Sequence, residues 1–154
     1  MRILFVCLGN ICRSPLLEAV LRQQAAAHGL DWQIASAGTG DWHIGEPADP
    51  RAIAVAEAHG YALAAHRARQ LRADDFHAYD VLLAADRANL AALTARAGHG
   101  AAARLGLALT EAGLAAPQEI PDPYTGGIGD FRHVLNLSEQ VAAGLIQRWR
   151  TRHT

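Results

Sequence analysis

The chain has 154 residues and carries 14 arginines and no lysine against 15 aspartates and glutamates, a net charge of −1 at pH 7. That length suits one domain with a real core, residues 1–154, and the balanced charge offers no basic field for nucleic acid. Arg2 is followed only by a strand-length apolar run, and no stretch approaches the roughly 20 apolar residues that cross a bilayer. Cys7 and Cys12, the two cysteines, lie too close in one turn to make a disulfide scaffold. These features lead us to expect a cytoplasmic globular protein without membrane insertion.

Strand-like and helix-like patterns then alternate, which predicts an α/β fold: a central four-stranded parallel sheet flanked by helices. Ile3–Val6 reads as a buried central strand because it is apolar on both faces. After a loop, Ser14 can cap a helix with Pro15 at its first position, and Leu16, Leu17, Val20 and Leu21 form its apolar stripe. His28-Gly29 ends that helix, and Trp32–Ala35 is a second strand. Asp49-Pro50 opens a helix that runs to His59-Gly60. Val81–Ala84 is a third strand, and Asp86 caps a helix through Arg96. A weaker fourth strand spans Leu105–Leu109. A last helix, from about Gly129 to Trp149, gathers Phe131, Val134, Leu135, Val141, Leu145 and Trp149 on one side. In such sheets ligands collect beyond the carboxyl ends of the strands. Cys7, Ser36 and Asp86 are thereby expected on one rim.

The most informative segment is Cys7-Leu8-Gly9-Asn10-Ile11-Cys12-Arg13-Ser14, between the first strand and the first helix. A helix start presents unpaired N–H groups and the positive end of a dipole, and so attracts anions. The same field favours a thiolate over a thiol at Cys7 and makes it a ready nucleophile. Arg13 adds a planar fork of donors suited to phosphate oxygens. Asn10 follows Gly9 in a tight turn, where asparagine tolerates left-handed backbone angles. Farther on, two prolines stiffen Ile120-Pro121-Asp122-Pro123-Tyr124 and leave the Asp122 carboxylate projecting.

With Cys7, Arg13, Ser14 and the distant Asp122-Pro123-Tyr124 all in place, the chain resembles the low-molecular-weight protein tyrosine phosphatases over essentially its whole length. Ser36-Ala37-Gly38-Thr39-Gly40-Asp41-Trp42, Gly45-Glu46-Pro47-Ala48-Asp49-Pro50, His66 with Arg69-Gln70, and Asp86 with Asn89-Leu90 carry the likeness further. The resemblance implies hydrolysis of phosphotyrosine through a cysteinyl-phosphate, with Cys7 as nucleophile and Asp122 as general acid and then base. Arg13 and the loop from Leu8 through Gly9, Asn10, Ile11 and Cys12 to Ser14 would bind phosphate. Phosphoryl transfer of this kind rests on position and charge, so no metal or other cofactor is called for.

Other assignments come from the resemblance with a plainer reading beside them. Ser14 would stabilise the Cys7 sulfur, or serve only as a cap, or both. Ser36 and His66 would join Asn10 in a supporting network, or be ordinary loop residues. Trp42 and Tyr124 would wall the cleft around the substrate ring, or be scattered surface aromatics. Cys12 would pair reversibly with Cys7 on oxidation, or simply pack the loop. His43, His59, His77, His99, His133 and His153 read as ordinary loop or surface residues.

Rival readings share this fold. Arsenate reductases of this type relay electrons through further cysteines, and none follows Cys12. Protein arginine phosphatases resemble the group but carry threonine where Ile11 stands and phenylalanine where Tyr124 stands. A non-catalytic phosphate-binding interaction domain would not need Asp122. Many eukaryotic members have two successive tyrosines after the proline, whereas Thr125 follows Tyr124 here. The Asp41-Trp42-His43 stretch looks bacterial, and by resemblance the phosphotyrosine-containing partner would be a bacterial tyrosine kinase. Nothing in the sequence marks an oligomeric surface.

Overall fold

In the computed structural model, which describes residues 1–151, β1 (Arg2–Cys7) lies between β2 (Gln33–Gly38) and β3 (Val81–Ala84). Beyond β3 runs β4 (Arg104–Leu107), giving the order β2-β1-β3-β4 with every pair parallel. The central strand is apolar on both faces because helices cover both. Ile3 and Phe5 face a core shared with α1 (Arg13–Ala27), α2 (Pro50–Ala58) and α6 (Ile128–Trp149). Leu4 and Val6 face a smaller core with Phe76 of α3 (Asp75–Ala78) and Leu93 of α4 (Arg87–Arg96). One further turn, α5 (Ala108–Glu111), follows β4. The expected four-stranded parallel α/β architecture is the observed one.

Several boundaries differ from the sequence reading. The first helix begins at Arg13, with Cys12 at its cap position and no side chain capping it. Ser14 therefore sits inside the first turn and Pro15 one residue further, where a missing N–H is still tolerated. The second strand starts after Trp32 and continues to Gly38, because its parallel pairing with β1 runs on through Phe5↔Ser36, Val6↔Ala37 and Cys7↔Gly38. Ser36 consequently lies within β2 rather than at its end. The fourth strand stops at Leu107, and Ala108 and Leu109 turn into α5 to reach the larger core. α3 is too short to show a period in the sequence. His153 lies outside the described residues.

The chain crosses from β2 over β1 to β3, so the strand order reverses between β1 and β3. A crevice opens there, beyond the carboxyl ends of both strands. Cys7 ends the first of them, and Asp86 follows the second.

Leu83, at the middle of β3, is fully buried. Leu83→Ala should lower the unfolding free energy by about 2–5 kcal/mol, read from urea melts; a wild-type midpoint would show that the sheet centre is not tightly packed.

Candidate active site

The loop from β1 to α1 is folded by one residue more than any other. Asn10 takes a left-handed conformation, φ 58°, and is fully buried. Its side-chain amide donates to Ser14 Oγ at 2.8 Å and to Ser36 Oγ at 2.9 Å, while its Oδ1 accepts the Arg69 N–H at 2.9 Å. His66 Nε2 lies 2.8 Å from the Asn10 carbonyl, and Ser36 donates onward to Glu18 at 2.6 Å. The end of β2 comes close enough to brace the loop from outside. Thr39 and Gly40 donate to the carbonyls of Cys7 and Leu8, both at 2.9 Å. Gly38 permits that approach, since a Cβ there would sit 2.8 Å from the Leu8 oxygen.

Within this frame the Cys7 sulfur accepts the Asn10 N–H at 3.3 Å and lies 3.0 Å from the Ser14 hydroxyl. The hydroxyl that the sequence reading offered as a cap is thus engaged by sulfur and by Asn10. The first amides of α1 stay without a side-chain cap, which leaves them for an anion. Cys12 lines the same cleft. Burial pushes its thiol well above the ordinary range, with the charges of Asp49 and Cys7 adding to the effect, so it is a protonated thiol at neutral pH.

Arg13 is buried, and one guanidinium nitrogen, Nη1, donates to Asp86 at 2.7 Å and to the Ile120 carbonyl at 3.0 Å. The Nε–Nη2 edge keeps no hydrogen-bond partner among the described residues, which suits it to two oxygens of one tetrahedral anion. Burial works against the Arg13 charge, but Cys7 and Asp86 more than offset it, and the guanidinium is held firmly protonated. Asp86 also accepts the Asn89 N–H at 2.8 Å as the cap of α4.

Asp122 reaches the crevice because Ile120 is tied at both ends, donating to the Ala85 carbonyl and accepting from Arg13. Its carboxylate lies 3.9 Å from Arg13 Nη2, half exposed, and accepts the Tyr124 N–H at 3.1 Å. The segment after it is held by Arg51 of α2, which the sequence reading passed over. Arg51 donates to the carbonyls of Tyr124 and Gly126, both at 2.9 Å, and its guanidinium stacks 4.4 Å above the Phe131 ring. It is itself fixed by Asp49, whose carboxyl its hydrogen bonds hold below the usual range. The signal was present, since an arginine two residues after a capping aspartate can fold back onto it.

The result is a cleft of about 150 Å³ with Cys7, Leu8, Gly9, Ile11, Cys12 and Arg13 at its base and Trp42, His43, Asp122 and Tyr124 around it. Trp42 and Tyr124 stay largely exposed, at 67% and 49%. Ser36 and His66 stand behind the loop and line no part of the cleft. His43 is a correction, for it forms part of the cleft wall and is no ordinary surface histidine.

The family model described as low molecular weight phosphotyrosine protein phosphatase matches residues 2–153. The chain belongs to that family. A low molecular weight protein-tyrosine-phosphatase of Streptomyces coelicolor is 42% identical over 150 residues, covering 94% of this chain and 91% of the relative. Among solved structures, a protein tyrosine phosphatase from Entamoeba histolytica, with Hepes in its active site, superposes with a TM-score of 0.93. It is 33% identical, and the match covers 100% of this chain and 99% of that one. A Drosophila arginine phosphatase matches with a TM-score of 0.91 and 29% identity over 98% of this chain and 99% of its own. Family membership alone therefore leaves the choice of phosphorylated residue to the cleft.

Asp86→Ala strands the buried Arg13 charge and should cost about 3 kcal/mol of stability. Inorganic phosphate should return part of that loss by pairing with Arg13, raising the variant's melting temperature more than the wild type's. Equal phosphate shifts in both proteins would show that Arg13 does not face the anion.

Proposed function

We propose that this protein hydrolyses phosphotyrosine in proteins by two in-line displacements at phosphorus, without a metal. The observation that carries the reading is the Cys7 sulfur, hydrogen-bonded at 3.3 Å by the Asn10 amide beneath uncapped helix amides and the free edge of Arg13. In the first step the Cys7 thiolate attacks phosphorus, the bond to the tyrosine oxygen breaks, and Asp122 gives its proton to the departing phenolate. In the second, water attacks the cysteinyl-phosphate, Asp122 takes a proton from it, and Cys7 leaves as thiolate. Arg13 and the amides from Leu8 to Ser14 hold the three equatorial oxygens throughout. The Ser14 hydroxyl, 3.0 Å from sulfur, stabilises the thiolate when it is the leaving group.

The choice of phosphotyrosine rests on the cleft walls. Trp42 and Tyr124 flank the entrance and offer flat faces to an aryl ring, which phosphoserine lacks. Ile11 lines the base and brings no polar atom to meet a guanidino nitrogen, which weighs against phosphoarginine. The partner is then a phosphotyrosine-containing protein, a bacterial tyrosine kinase being the kind the resemblance suggests, met in the cytoplasm. No helix among the described residues is long and apolar enough to cross a membrane. Peroxide sensitivity follows from the same nucleophile. Peroxide would convert Cys7 to a sulfenic acid, and condensation with the Cys12 thiol would release water and leave a disulfide.

Hydrolysis of p-nitrophenyl phosphate should persist in excess EDTA and disappear in Cys7→Ser. Turnover that needs added metal, or that survives in the variant, contradicts the reading. Asp122→Ala should cut kcat about 10²- to 10⁴-fold on phosphotyrosine, and far less on aryl phosphates whose leaving group needs no proton. A uniform loss across leaving groups would remove Asp122 as the acid.

A further inference from the structure

The segment after β2 builds a small device that the reaction above does not use. His43-Ile44-Gly45-Glu46 closes as a four-residue turn, with the Glu46 N–H donating to the His43 carbonyl at 2.9 Å. Gly45 takes φ +84° at the third position, as a type II turn requires. The turn is pinned to the chain behind the phosphate loop by two backbone hydrogen bonds, Gly45 N–H to the Ala68 carbonyl and Ala68 N–H to the Glu46 carbonyl, both 2.8 Å. First and fourth side chains of the turn meet, and His43 Nδ1 is hydrogen-bonded to the Glu46 carboxylate.

That contact orients the imidazole. A carboxylate only accepts, so Nδ1 carries the proton and the Cδ2–Nε2 edge is left for another partner. This edge lies over the loop at the cleft wall: a Cβ built on Gly9 would stand 3.1 Å from His43 Cδ2 and 3.8 Å from Nε2. The ring also sits 6.3 Å from the Tyr124 ring, and the two line the same cleft.

We propose that His43, braced by Glu46, binds the main chain of the phosphoprotein next to the phosphotyrosine. This rests on the phosphotyrosine reading above and adds a contact to the peptide, beyond those to the phosphate and the ring. A peptide main chain is the partner that fits the chemistry. Neutral imidazole presents Nε2 as an acceptor and imidazolium presents it as a donor, and a main chain supplies both an N–H and a carbonyl. An acidic side chain of the substrate would instead meet the carboxylate of Glu46 on the His43 ring and that of Asp122 in the cleft wall. His43 is then a specificity residue, and Glu46 a positioning residue that acts through it.

Steady-state kinetics on a phosphotyrosine hexapeptide and on p-nitrophenyl phosphate test this. His43→Ala should lower kcat/KM for the peptide about three- to ten-fold, the worth of one hydrogen bond. The loss should fall on KM and exceed the loss on p-nitrophenyl phosphate several-fold. His43→Gln, which keeps a donor and an acceptor at similar reach, should recover part of it. Glu46→Ala should give a smaller loss of the same kind, and Glu46→Gln, which still accepts from Nδ1, should restore it. Equal losses on both substrates, losses confined to kcat, or no loss at all overturn the proposal, provided melting temperatures show the variants folded. A wild-type enzyme that cleaves p-nitrophenyl phosphate but not the peptide overturns the phosphotyrosine reading itself, and this contact with it.

Discussion

Asn10 is the constraint on which the site depends. A left-handed residue in the middle of a buried loop is costly unless its surroundings fix it. Here four groups do so: Ser14, Ser36 and the Arg69 amide at its side chain, and His66 at its carbonyl. With Asn10 held, its own N–H points at the Cys7 sulfur as the loop passes from the end of β1 into α1. The brace joins the loop's own Ser14 to Ser36 of β2 and to the His66–Arg69 segment, so the loop is held from two distant parts of the chain. Preorganised donors are what stabilise charge cheaply in a transition state.

A second set of contacts brings Asp122 to the same crevice as Cys7. Arg13 belongs to the phosphate loop yet donates to Asp86 after β3 and to Ile120 before Asp122. It thereby ties both sides of the crevice where the strand order reverses. Arg51 does the corresponding work farther out by holding the carbonyls of Tyr124 and Gly126. Two buried or half-buried arginines, Arg13 paired with Asp86 and Arg51 with Asp49, position a segment that has no regular structure of its own. The Nε–Nη2 edge of Arg13 takes no part in the hydrogen bonds to Asp86 and Ile120.

Much of this was legible in the sequence, and the division follows from distance along the chain. The octet Cys7–Ser14 could be read because its members are contiguous and a strand-to-helix turn has few ways to fold. The left-handed Asn10, the caps at Asp49 and Asp86, and the core face of α6 are likewise local properties. Long-range pairing was not legible. Ser36 looked like a strand end because the length of the β1–β2 pairing, which carries β2 on to Gly38, leaves no local mark. Ser14 read as a cap, as a partner of the sulfur by resemblance, or as both, and the contact to sulfur is the one present, with Asn10 donating to the same hydroxyl. Arg51 and His43 escaped because their partners, the Tyr124 and Gly126 carbonyls and the cleft wall, are placed by the fold alone.

The central claim is that one sulfur of two is presented, as an anion-side nucleophile, inside a phosphate cradle. Iodoacetate labelling followed by peptide mapping reads this directly, since the reagent reacts with thiolates and carries a carboxylate into the same donors. The account predicts rapid carboxymethylation at Cys7, strong protection by inorganic phosphate, and Cys12 left unmodified. Labelling that falls first on Cys12, or that phosphate does not slow, would contradict it.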